Sequence, residues 1–163
     1  MAENSLFKTA LSKAMNQCSQ QEICCIEIES RLERWGVQKS DCHKIIDILI
    51  KENFINEERY ARAFVKDKFN QNKWGKIKIA SHLRAKNISS GTISSALGSI
   101  DIESYKNILK SLIEGHRRSV KAKNSYEMKA KLLRFGLSRG FESSLLYDLL
   151  NENENIFNKR PEN

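Results

Sequence analysis

Phe54-Ile55-Asn56-Glu57-Glu58-Arg59-Tyr60-Ala61-Arg62-Ala63-Phe64-Val65-Lys66-Asp67-Lys68 opens on a turn signal and continues with helical spacing. Asn56 stands where a helix starts, and Glu57 and Glu58 occupy the first turn, where the positive end of the helix dipole favours carboxylates. Tyr60, Ala63 and Phe64 then recur at three and four residues, the stripe of a helix that faces a core. The same reading extends in both directions, because the single proline is Pro161 and no earlier residue lacks its amide hydrogen.

Upstream, Phe7, Leu11, Ala14, Met15 and Cys18 line one face of an opening helix. Ser19 with Glu22 fits a capping box for a second helix that passes Ile26 and Leu32 and ends at Gly36. A third contains Ile45, Ile46, Leu49 and Ile50 and stops near Asn53. Downstream, the spacing predicts helices over 76–86, 90–97, 102–113, 126–137 and 142–150. The fold class is therefore all-α, and the polar run from Asn151 predicts a flexible tail over 152–163.

Gly36, Asn87 and Gly140 suit left-handed helix ends, and the second follows the first by 51 residues and the third the second by 53. Aligned on them, Val37, Ile88 and Phe141 coincide, as do Cys42, Ile93 and Leu146, then Ile46, Leu97 and Leu150, and, before the anchor, Ile28, Ile79 and Leu132. This register predicts three tandem three-helix repeats, 1–55, 56–100 and 101–151, in an elongated, modular array. Each is too small to hide its apolar faces alone, so neighbours must stack.

The chain of 163 residues carries a net charge of +8, unevenly distributed. Residues 1–56 hold 7 Lys and Arg against 8 Asp and Glu; 57–99 hold 9 against 3; 101–140 hold 10 against 4; and 141–163 hold 2 against 5. With a pI of about 9.4, the positive middle attracts phosphate backbones or an acidic protein surface. A mean hydropathy of −0.55 and the lack of an apolar run near the ~20 residues of a spanning helix argue against a membrane protein. The first residues do not read as a secretion signal, so a cytoplasmic location is expected.

Cys18, Cys24, Cys25 and Cys42 contain no Cys-x-x-Cys pair, and adding His43 approximates zinc spacing poorly. They read as small buried hydrophobes, with no metal or cofactor expected. His43, His82 and His116 stand far apart without a nucleophile elbow or phosphate loop beside them, so no catalytic residue is assigned and the chain reads as non-enzymatic.

Phe54 to Lys68, followed by Trp74-Gly75-Lys76-Ile77-Lys78-Ile79, resembles the central signature of the RecX family. Lys129-Ala130-Lys131-Leu132-Leu133-Arg134-Phe135 with Arg139-Gly140-Phe141 is similar to that family's last repeat, and the resemblance covers about residues 10–150. Gly136-Leu137 departs from it: a bulky residue more usually follows the phenylalanine, and a glycine inside a helix costs about 1 kcal/mol against alanine. The resemblance implies a regulator that binds the RecA recombinase and its filament on single-stranded DNA, with duplex DNA a further candidate partner. Such a protein would restrain filament growth, ATP hydrolysis and strand exchange, as a monomer without a cofactor. It also marks Arg59, Tyr60, Ala63, Phe64, Trp74 and Gly75 as a structural signature. The competing reading is a sequence-specific DNA-binding regulator built on helix-turn-helix units. Against it, the basic residues are spread over two repeats, and Asn and Gln base readers do not cluster among them.

The candidate RecA and DNA contacts are Lys73, Lys76, Lys78, Arg84 and Lys86 in the second repeat. In the third they are Arg117, Arg118, Lys121, Lys123, Lys129, Lys131, Arg134 and Arg139. At 100° per residue Lys76 and Lys78 diverge, so these cations cannot all share one face. Trp74 can pin the turn before the next helix or stack on a base, and Arg59 and Arg62 have Glu57 and Glu58 as local ion partners.

Overall fold

The computed structural model describes residues 2–153, and every regular element among them is a helix. In order they are α1 (Ala2–Gln20), α2 (Cys25–Arg34), α3 (Lys39–Lys51), α4 (Glu57–Asn70), α5 (Lys76–Ala85), α6 (Ser90–Leu97), α7 (Ile102–Ser119), α8 (Ser125–Ser138) and α9 (Ser143–Glu152). The expected tail begins at 152, but Glu152 closes α9; residues 154–163 lie outside the described residues.

Two local readings need correction. Ser19 does not start a helix: its hydroxyl donates to the Met15 carbonyl at 2.8 Å, inside α1. The start belongs to Cys24, whose amide donates to the Glu27 carboxylate at 3.4 Å, and α2 begins one residue later. Glu22 instead pairs with Arg59, so Arg59 reaches a carboxylate far along the chain and not Glu57 or Glu58. The stripe of α4 is also rotated from the expected one. Tyr60, Ala61, Val65 and Phe69 are buried, Phe64 is half-buried against Tyr60, and Ala63 is exposed. Four-residue steps from Ala61 through Val65 to Phe69 set the buried line. The start of α4 is as expected, the Asn56 side chain accepting from the Arg59 amide at 2.9 Å. α7 runs six residues past the predicted end, to Ser119, with His116, Arg117 and Arg118 in the last turn where the helix dipole favours cations.

Gly36, Asn87 and Gly140 have φ of 84°, 58° and 90°. Their amides donate to Glu33, Arg84 and Leu137, each at 3.0 Å. The next amides, of Val37, Ile88 and Phe141, donate to the carbonyls of Leu32, Leu83 and Gly136 at 3.1, 3.2 and 3.2 Å. This is the Schellman closure of a helix end, made three times in one register. Val37, Ile88 and Phe141 are buried immediately after it, and Ile28, Ile79 and Leu132 are fully buried before it.

Gly136 occupies the position of Leu32 and Leu83 in this register. A Cβ there would lie 2.3 Å from Leu146 Cδ2, so the glycine makes room for a leucine where the first repeat has the smaller Cys42. The departure in the sequence thus moves volume from one helix to the next.

The chain forms two compact units, Met1–Val65 with His82–Ala96, and Lys66–Ser81 with Leu97–Asn163. In the first, Ala10, Ala14, Ile28, Leu32, Ile45 and Leu49 lie at the heart of one apolar cluster, with Phe7, Met15 and Trp35 packed on it. In the second, the core includes Phe69, Tyr105 and Phe141, with ring centroids 5.8 Å apart for Phe69 and Tyr105 and 5.1 Å for Tyr105 and Phe141.

Candidate nucleic-acid interface

In the second unit the end of α4, the start of α5 and the end of α8 meet through backbone. Trp74 N–H donates to the Lys68 carbonyl at 3.1 Å, Gly75 N–H to Arg139 at 2.7 Å and Ile77 N–H to Gly140 at 3.0 Å. Lys76 N–H donates to the Tyr105 hydroxyl at 3.0 Å, which itself donates to Glu142 Oε1 at 2.8 Å. Burial pushes the Tyr105 phenol above its ordinary value, so the hydroxyl keeps the proton it donates. Three amides at the start of α5, which no turn of that helix could satisfy, are thereby partnered. The approach is close enough to require glycine: a Cβ on Gly75 would lie 2.3 Å from the backbone of Gly140.

Cations and rings gather around this joint. Lys68 and Lys78 hold their ammonium groups 5.1 and 4.5 Å from the Trp74 ring centroid, and Lys76 lies 4.9 Å from that of Tyr105. The Arg139 guanidinium is 5.3 Å from the Phe135 ring, which also stacks on His116 at 3.8 Å with planes 7° apart. Lys73, at a φ of 56°, donates to the Asn70 carbonyl at 2.6 Å and closes α4.

The structure therefore brings Lys73, Lys76, Lys78 and Arg139 to one joint. The other third-repeat candidates belong to the same unit but are differently engaged. Arg118, Lys121, Lys123 and Arg134 are exposed, and Arg117 is half-buried. Lys129 donates to Asn151 at 2.6 Å, and Lys131 pairs with Glu127 at 3.1 Å while donating to the Lys121 carbonyl at 2.7 Å. Arg84 and Lys86 belong to the first unit, Arg84 exposed and Lys86 paired with Glu27 at 3.1 Å. Sequence reasoning missed Lys68, His116 and Phe135. Lys68 precedes Trp74 by six residues, a spacing with no helical meaning once the chain turns, and a phenylalanine in an amphipathic helix reads as core.

Two signature residues outside the joint, Arg59 and Tyr60, fasten the first unit. Arg59 donates to the Asn53 and Phe54 carbonyls at 3.1 and 3.3 Å besides pairing with Glu22. The Tyr60 hydroxyl donates to Glu27 Oε1 at 3.1 Å. Burial alone would raise the Glu27 carboxyl, but Lys86, the Tyr60 hydroxyl and the Cys24 amide outweigh it and hold it below the ordinary glutamate value. Because the folded-state value is the lower one, the stabilisation is present above the unfolded glutamate range and is lost as pH falls through the folded value. Acid titration followed by circular dichroism is expected to show a flatter loss of stability below pH 4.5 for Glu27→Gln than for the parent chain. Parallel curves would remove Glu27 from the linkage.

Cys18, Cys24 and Cys42 are buried and Cys25 half-buried. Burial raises all four thiols, that of Cys25 to about 12 with help from Glu57, which keeps them protonated and poor nucleophiles. Among the described residues no group of His, Cys, Asp and Glu is placed to hold a metal ion, and no helix is long and apolar enough to cross a membrane.

Residues 56–97 match the family described as RecX, second three-helix domain. The chain is 31% identical over 128 residues to the regulatory protein RecX of Clostridium botulinum, covering 77% of this chain and 59% of that protein. It is 31% identical over 127 residues to that of Clostridium perfringens, covering 77% and 57%. It thus spans less than two thirds of the length of these relatives. The crystal structure of RecX from Lactobacillus salivarius superposes with a TM-score of 0.79 at 22% identity, over 91% of this chain and 97% of that one, which establishes the shared all-helical fold. The signature around Trp74-Gly75, the three equivalent helix ends and these similarities together make the chain a member of the RecX family.

Proposed function

We propose that this chain is a RecX-type regulator that binds a RecA recombinase and its filament on single-stranded DNA and limits filament extension, ATP hydrolysis and strand exchange. The observation that carries the DNA part is the joint at Gly75 and Gly140, where Lys73, Lys76, Lys78 and Arg139 converge beside Trp74 and Phe135. Cations held on a hydrogen-bonded backbone meet phosphates with little ordering left to do. The exposed Arg118, Lys121, Lys123 and Arg134 extend the positive charge of the same unit. The RecA part rests on the family, whose named members are regulatory proteins. Inhibition of this kind needs no active site: several weak contacts to protein and strand combine through effective concentration.

The test is ATP hydrolysis by the cognate RecA on single-stranded DNA, with filament growth followed in parallel. Substoichiometric amounts of this protein are expected to suppress both. Unchanged hydrolysis and growth across a wide titration would remove the proposal.

A further inference from the structure

The turn that carries Trp74 is already fixed without its side chain, since the amides of Trp74, Gly75 and Ile77 are all bonded to carbonyls across the joint. The core of this unit includes Phe69, Ile79 and Tyr105, while Trp74 stays half-buried. The half-buried ring is flanked by two ammonium groups, from Lys68 at 5.1 Å and Lys78 at 4.5 Å. Lys68 also lies 3.9 Å from the Asp67 carboxylate, which tempers its charge without cancelling that of Lys78.

We infer that Trp74, Lys68 and Lys78 form a subsite for one unpaired nucleobase of single-stranded DNA, the ring stacking on the base and the ammonium groups meeting the flanking phosphates. The inference rests on the reading that this chain binds single-stranded DNA, and adds where a base, and not only the backbone, is held. An aromatic face accepts any base, and stacking on one is a main source of sequence-tolerant affinity for single strands. Arrival of the base displaces an ammonium from the ring, exchanging a weak surface cation–π contact for a charge-assisted bond to phosphate. The hydrogen-bonded turn holds the ring in place beforehand, so little freedom is lost. In a duplex the base faces are stacked on one another, so this subsite is specific for unpaired strand.

The experiment uses the full chain with Trp35→Phe, which leaves Trp74 as the only tryptophan of the two. Its fluorescence is read while a thymidine oligonucleotide is titrated, with binding followed independently by the anisotropy of a label on the strand. Saturable quenching in step with binding is expected, and none from an abasic strand of equal length that still binds through its phosphates. Trp74→Leu is expected to lower affinity for the thymidine strand by roughly five- to hundredfold, with Trp74→Phe recovering most of it. Binding without quenching, or equal quenching by the abasic strand, overturns the subsite while leaving DNA binding standing. No anisotropy change at any concentration overturns both. Should Trp74→Leu fail to fold, the fluorescence of the Trp35→Phe chain alone decides.

Discussion

Gly75→Ala is expected to destabilise the second unit by about 3 kcal/mol or more, a fall in Tm of roughly 6 to 12 °C for a chain of this size. The added methyl would sit 2.3 Å from Gly140 C and O and 2.4 Å from Phe141 N. Those atoms are backbone, and Gly140 is held at a φ of 90° with its amide bonded to Leu137, so it cannot step aside as a side-chain tip would. Relief requires the start of α5 to withdraw, which stretches the bonds from Gly75 to Arg139 and from Ile77 to Gly140. The overpacking cost and the loss of two buried backbone bonds act together. Gly91→Ala and Gly115→Ala are the controls: both glycines lie in helices, and nothing lies within 4 Å of a Cβ at either. They are expected to stabilise by about 0.5 to 1 kcal/mol through helix propensity. Thermal melts of the three variants decide the matter, and a Gly75→Ala melt matching the parent would show that the joint yields freely.

The second large effect concerns salt. Replacing Lys78, Arg118, Lys121, Lys123 and Arg134 by Gln is expected to flatten the dependence of single-stranded DNA affinity on salt. Each residue that touches a phosphate contributes about 0.7 to the logarithmic slope, so the five together reach about 3.5 and change the loss of affinity between roughly 50 and 200 mM salt by about a hundredfold. Four of the five are exposed, so melting temperature should barely move. Lys86→Gln provides the contrast, because its partner is Glu27: it is expected to weaken the first unit and leave the slope alone. Substitutions at Lys8, Lys13 and Lys44, in the nearly neutral N-terminal third, should change the slope much less. Equal losses from both sets would make the attraction a diffuse consequence of net charge; no loss from either would make the basic surface a solvated face.

Helix positions were legible because apolar spacing and cap residues act within a few residues. Asn56 heads α4 as its sequence promised, and Ser90–Leu97 is the helix its spacing outlined. The errors arose where two local solutions were equally available. Ser19 and Cys24 each have a glutamate three residues on, and the buried Ile23 and Cys24 place the break at the second. In α4 both Tyr60-Ala63-Phe64 and Ala61-Val65-Phe69 satisfy helical spacing, and only the packing partners choose between them. The candidate site was legible as charge but not as geometry. Nothing in the residue order distinguishes Lys86, spent on Glu27, from Lys78, held beside Trp74, since each partner is set by tertiary packing.

The helix end repeated at Gly36, Asn87 and Gly140 is specified by bonds that span no more than six residues, whereas the helices that open the three repeats are 19, 14 and 18 residues long. A chain organised in this way keeps its corners constant and lets its long members vary.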